Sequence, residues 1–89
     1  SSAASDVYKR QRLARLAEGA QVLVVTHSPQ VAALGGHHFR VAKSVAAGMT
    51  TSTVAALDEQ ERVSEIARML AGEEVTPAAK EAARALLRG

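Results

Sequence analysis

From residue 12 onward the period of apolar and polar positions changes several times, and each change marks an element. Leu13, Leu16 and Ala17 share one helical face, with Arg12, Arg15 and Glu18 opposite, so the spacing predicts a short helix that Gly19 ends. Residues 21–26, QVLVVT, show no alternation. A continuous β-branched apolar run this short predicts a parallel core strand covered on both faces rather than a buried helix. Ser28 stands where it can cap a helix, Pro29 suits the first helical position, and Gly35-Gly36 stops a short helix over 30–34. Helix, strand, loop, helix is the rhythm of an α/β sheet. It puts His27 just past the carboxyl end of the strand, where such sheets place ligands.

Past the two glycines, Phe39 and Val41 alternate with Arg40 and Ala42 in a strand predicted over 38–43. Ala46-Ala47-Gly48 makes a turn, and the Thr- and Val-rich stretch 49–57 predicts the partner strand. Asp58 and Glu61 have capping-box spacing, and Val63, Ile66, Ala67 and Leu70 form an apolar stripe on a helix that Gly72 ends. Thr76-Pro77 opens a last helix through Arg88, lined on one side by Ala79, Ala82, Ala83, Leu86 and Leu87. Its other side carries Lys80, Glu81 and Arg84, with Glu81 spaced to pair with Arg84. The carboxylates Asp58, Glu59, Glu61, Glu73 and Glu74 all stand at or just before helix starts, where they stabilise N-termini without any catalytic role.

Composition limits what such a chain can bury. Nineteen of 89 residues are alanine, and Tyr8 and Phe39 are the only aromatics, so apolar area per residue is small and partner surface is expected to complete the core. The absence of cysteine excludes disulfides, a thiolate zinc cluster, a cysteine nucleophile and an iron–sulfur site. Residues 1–43 carry six basic and two acidic side chains and residues 44–89 five and seven, so the halves are +4 and −2. The basic cluster Lys9, Arg10, Arg12 and Arg15 lacks interleaved aromatics and reads as a solvated face. No apolar run approaches the ~20 residues that span a bilayer, and no secretory leader is visible, so a cytoplasmic protein without membrane contact is expected. Residues 1–11, SSAASDVYKRQ, lack clear periodicity and resemble a translated leader artefact; they are expected to be non-native and disordered, which leaves 12–89 as the informative chain.

One arrangement stands out for chemistry. Residues 21–33, QVLVVTHSPQVAA, bring an imidazole, a hydroxyl and a helix start together, a setting that suits an anion or a polarised water. Spacing alone leaves His27 open between a hydrogen-bonded strand-end residue and a functional one. His37 and His38 point to opposite faces of a strand with no third ligand in view, so no metal site is expected.

The strand ending in Thr26-His27, the following SPQVAA, the His-rich strand and the run ARMLAGEEVT resemble the C-terminal part of the bacterial RecN family of DNA repair proteins, which are SMC-like ATPases with ABC-type heads. The resemblance extends from about Leu13 to Leu87. It implies the C-terminal lobe of a P-loop NTPase head, with a parallel core strand, an added strand pair and two C-terminal helices. His27 would then be the switch, or H-loop, histidine near the γ-phosphate of ATP, with Thr26, Ser28 and Gln30 as its immediate supports. It further implies ATP and Mg2+ held by the complete head, a second head as ATP-dependent partner, DNA as the substrate of double-strand-break repair and recombination, and a place on the nucleoid.

This sequence departs from a whole head. It has no Gly-rich loop ending in Gly-Lys-Ser/Thr, no acidic Walker B strand end, no Ser-Gly-Gly signature and no sustained heptads for coiled-coil arms. These residues by themselves are expected to be inactive. The alternative is a C-terminal lobe of another SMC- or ABC-type protein serving as a structural or interaction module.

Overall fold

The computed structural model describes residues 3–89 and contains four helices and one two-stranded sheet among them. The first helix, α1, runs from Ala3 to Ala17. It runs across residue 11, where the sequence suggests a boundary, and residues 1 and 2 lie outside the described part. Ala, Lys, Arg and Gln are strong helix formers, and their propensity shapes this stretch despite its poor amphipathic pattern. On its exposed side the Arg12 guanidinium donates to the Tyr8 hydroxyl at 2.9 Å, across one helical turn.

Residues 21–26 do not form the parallel strand their composition predicts. The only sheet among the described residues is an antiparallel pair elsewhere in the chain, so the run has no ladder to join. Its side chains face solvent, with Leu23 85 % and Val25 93 % exposed. Strand identity depends on hydrogen-bond partners that this stretch of chain does not supply.

After it, α2 is a single turn, Pro29–Ala32, capped by Ser28 and opened by Pro29 as the sequence predicts. Strands β1, Phe39–Ala46, and β2, Met49–Ala56, pair in register from Phe39 opposite Ala56 to Ala46 opposite Met49. The reversal is the two-residue Ala47-Gly48, with φ of 52° and 76°. Both values are positive, as a type I′ hairpin turn requires, and Ala47 accepts the left-handed conformation without glycine's freedom. Neither face of this hairpin is covered.

Helix α3, Glu59–Ala71, starts on a complete capping box: Glu61 N–H donates to Asp58 Oδ1 at 2.8 Å, and Asp58 N–H to Glu61 Oε1 at 3.0 Å. It stops at Gly72, whose φ of 84° favours glycine. Helix α4, Pro77–Arg88, is capped by Thr76, whose hydroxyl accepts from Ala79 N–H at 3.1 Å. The core lies between these two helices. Ile66, Ala67, Ala79 and Ala83 are buried there, with Ala32, Ala33, Val63, Leu86 and Leu87 packed around them. The stripes expected on both helices thus meet, except that Leu70 and Ala82 remain exposed.

Candidate functional site

The loop around His27 is built by short-range hydrogen bonds. Ser28 N–H donates to Thr26 Oγ1 at 2.9 Å, bending the chain across His27. The Ser28 hydroxyl accepts from Val31 N–H at 3.3 Å and lies 3.2 Å from Gln30 Oε1, to which it donates. Ala32 N–H returns to Ser28 O at 2.9 Å. Thr26, Ser28 and Gln30 are therefore linked, and they fix the backbone on both sides of His27 while its imidazole stays exposed. The helix that follows is only four residues long, so its dipole adds little to anion binding and the hydrogen-bonding side chains carry the geometry.

The far end of α2 is held from α3. Arg62 donates to Ala32 O at 3.0 Å and also to Gly35 O. One guanidinium nitrogen, Nη2, thus serves both carbonyls of the turn that leaves α2. Its Nε is buried without a hydrogen-bond partner, and burial lowers the Arg62 pKa from its ordinary value.

One turn further along α3, Glu65 is only 7 % exposed and holds a second cluster together. Arg68 binds it through Nε at 3.1 Å and through Nη2, and Arg40 of β1 approaches at 3.7 Å. The Arg68 hydrogen bond, foremost, keeps the Glu65 carboxyl below its ordinary pKa against the opposing effect of burial. His38 is half-buried beside this cluster, with Nδ1 unpartnered. Burial, then the Arg62 charge, lowers the His38 pKa, while Glu65 pulls the other way. Sequence reasoning passed over Arg62, Glu65, Arg40 and Arg68. The three-residue spacing of Glu65 and Arg68 was a readable signal; the reach of Arg62 across 30 positions was not.

Two grooves flank these groups, and His27 lines neither. An apolar groove of about 480 Å³ runs between α1, residues 21–26 and α2, lined by Leu13, Val22, Val24, Val31 and Phe39, with Thr26 at its edge. A groove of about 660 Å³ between α3 and α4 is bordered by Lys80, Arg84 and Arg88. His37 is exposed, and no group of three or more His, Asp or Glu side chains among the described residues could hold a metal ion. Among the same residues no helix is long and apolar enough to cross a membrane.

No protein-family model matches the chain. Individual relatives do. The chain is 45 % identical over 78 residues to the DNA repair protein RecN of Bacillus subtilis, an alignment covering 88 % of this chain and 14 % of the relative. It is 52 % identical over 77 residues to RecN of Xylella fastidiosa, covering 86 % of this chain and 14 % of that protein. RecN of Deinococcus radiodurans is 52 % identical over 79 residues, which are 89 % of this chain and 14 % of the relative. The chain belongs to the RecN family. It spans about one-seventh of the length of these RecN relatives, so the rest of a RecN protein has no counterpart in the 89 residues. The hydrogen-bonded Thr26–Gln30 loop and the Arg62 and Glu65 clusters are thus features of a RecN-family segment.

Proposed function

We propose that this segment is the C-terminal lobe of an SMC-like ATPase head acting in DNA double-strand-break repair, and that His27 is its switch histidine. The observation that carries this reading is the exposed His27, on a backbone fixed between Thr26 and the Ser28 cap, at the end of an apolar run that lacks strand partners among the described residues. Residues 21–26 have the composition of a central strand, and the remainder of the same head is the partner that would pair with them. The RecN relatives, each named a DNA repair protein, support the biological setting.

The residues here fit one end of a nucleotide. An exposed imidazole can donate a hydrogen bond to a phosphate oxygen, and the hydrogen-bonded loop fixes the backbone from which it projects. ATP and Mg2+ would be held by the rest of the head, and bound ATP supplies the phosphoryl group to be transferred. His27 orients and stabilises charge, while Thr26, Ser28 and Gln30 keep its backbone from swinging. A second head and DNA would engage the complete protein.

Replacing His27 by alanine in the complete protein tests this. Turnover should fall by about 100-fold or more, as when a single donor to a developing charge is removed, with ATP affinity largely retained. Turnover equal to that of the unaltered protein would defeat the assignment.

A further inference from the structure

A long-range side-chain contact to the turn that follows the His27 loop comes from Arg62. Its guanidinium sits on α3, whose neighbouring Ile66 and Ala67 are locked into the core with α4. From there it reaches back to Ala32 O, at the carboxyl end of α2, and to Gly35 O three residues beyond it. A cation there satisfies acceptors that the helix itself leaves open, and it meets the negative end of the turn. The other end of α2 is fixed by Ser28, one residue after His27. Between these two attachments lies one rigid turn, so the position of His27 is referred through α2 to α3.

Both contacts come from one nitrogen, Nη2, so what arginine adds over lysine is reach and a planar, permanently charged head, not a second donor atom. A Cβ added at Gly35 would lie 3.0 Å from the His37 carbonyl, so glycine lets the chain turn closely where Arg62 meets it.

We infer that Arg62 is a positioning residue that couples the His27 loop to the α3–α4 pair, setting where the switch histidine stands. This rests on the reading of His27 given above. Movement of α3 and α4 relative to the head would then be passed to His27 through the Arg62 contact.

The test uses the complete protein with Arg62→Ala, Arg62→Lys, His27→Ala and the Arg62→Ala/His27→Ala pair. Arg62→Ala should lower turnover about tenfold to a hundredfold, the scale of an ångström-sized misplacement, with nucleotide affinity within about twofold. Arg62→Lys should fall between it and the unaltered protein. In the His27→Ala background the same change should cost nothing further, because the effect acts through His27. Amide exchange supplies a readout independent of activity: Arg62→Ala should speed exchange over residues 31–36 and leave α3 and α4 protected. Turnover losses that multiply in the double variant, or unchanged exchange over 31–36, would overturn the coupling and leave the histidine assignment standing. A His27→Ala protein with full turnover would instead remove the histidine assignment itself.

Discussion

Residues 59–88 and residues 21–56 solve the problem of a small chain in opposite ways. The first stretch meets its own needs: two capped helices face each other across Ile66, Ala67, Ala79 and Ala83, and each end has a local hydrogen-bond partner. The second leaves its needs open. Its apolar run at 21–26 has no ladder, and its hairpin is bare on both faces. What separates them is the distance over which each motif must find partners. A capped helix pair closes within about thirty residues, as α3 and α4 show, whereas a buried strand needs neighbours on both edges. The stable half therefore anchors the half that carries His27, and the anchors are Arg62 on the loop and Glu65 on β1.

This contrast can be broken at its strongest point first. Among the described residues Ile66 is the one large side chain that is fully buried, so Ile66→Ala should cost roughly 2–5 kcal/mol by chemical denaturation, enough to unfold a marginal domain. Loss of less than about 1 kcal/mol would show that α3 and α4 do not form the stable half.

Acidification should weaken the fold in two stages. His38 has a folded pKa below its ordinary 6.5, so the unfolded chain takes up a proton first, and stability falls as the pH drops below that value. Glu65 is likewise lowered from 4.5; its contribution is full above 4.5 and is lost as the pH falls through its folded value. Denaturation midpoints measured against pH should show both stages, and Glu65→Gln should flatten the lower one. An unchanged profile below pH 4.5 in that variant would remove Glu65 as an anchor.

Removing a cap probes the self-sufficient half more gently. Asp58→Ala deletes one arm of the capping box and should cost about 1 kcal/mol, read from the shift in melting temperature. The smallest effect is expected in the open half: Val25→Thr, at a position 93 % exposed, should change the stability of the 89-residue chain by no more than about 0.5 kcal/mol. In the complete protein the same change should be clearly destabilising, since there the proposed sheet would bury residue 25. Equal effects in both would argue against that sheet.

The legibility of the sequence follows the same division. Ser28-Pro29, Asp58 with Glu61 and Thr76-Pro77 declare helix starts because a cap involves residues only two or three positions apart. Ala47-Gly48 is readable for the same reason. The hydrogen-bonded group of Thr26, Ser28 and Gln30 is legible because adjacency along the chain brings these residues together around His27. Residues 21–26 mislead because composition reports what a segment would do among partners, and α1 over 3–11 shows no apolar period because intrinsic propensity, not a buried face, favours helix there. Arg62 could not be found from spacing, since its acceptors lie 27 and 30 positions away.

The seam between α3 and α4 also sets an asymmetry in what substitution the chain can absorb. Its buried positions other than Ile66 are alanines at 67, 79 and 83, so the helices are held by proximity of backbone more than by bulk of side chain. Such a joint has almost no slack: a larger residue at any of the three must push the axes apart. Growth at these sites is thus the change least tolerated, and because Arg62 and Glu65 stand on the same helix, a shift in the seam would be felt at both of the contacts that reach beyond it.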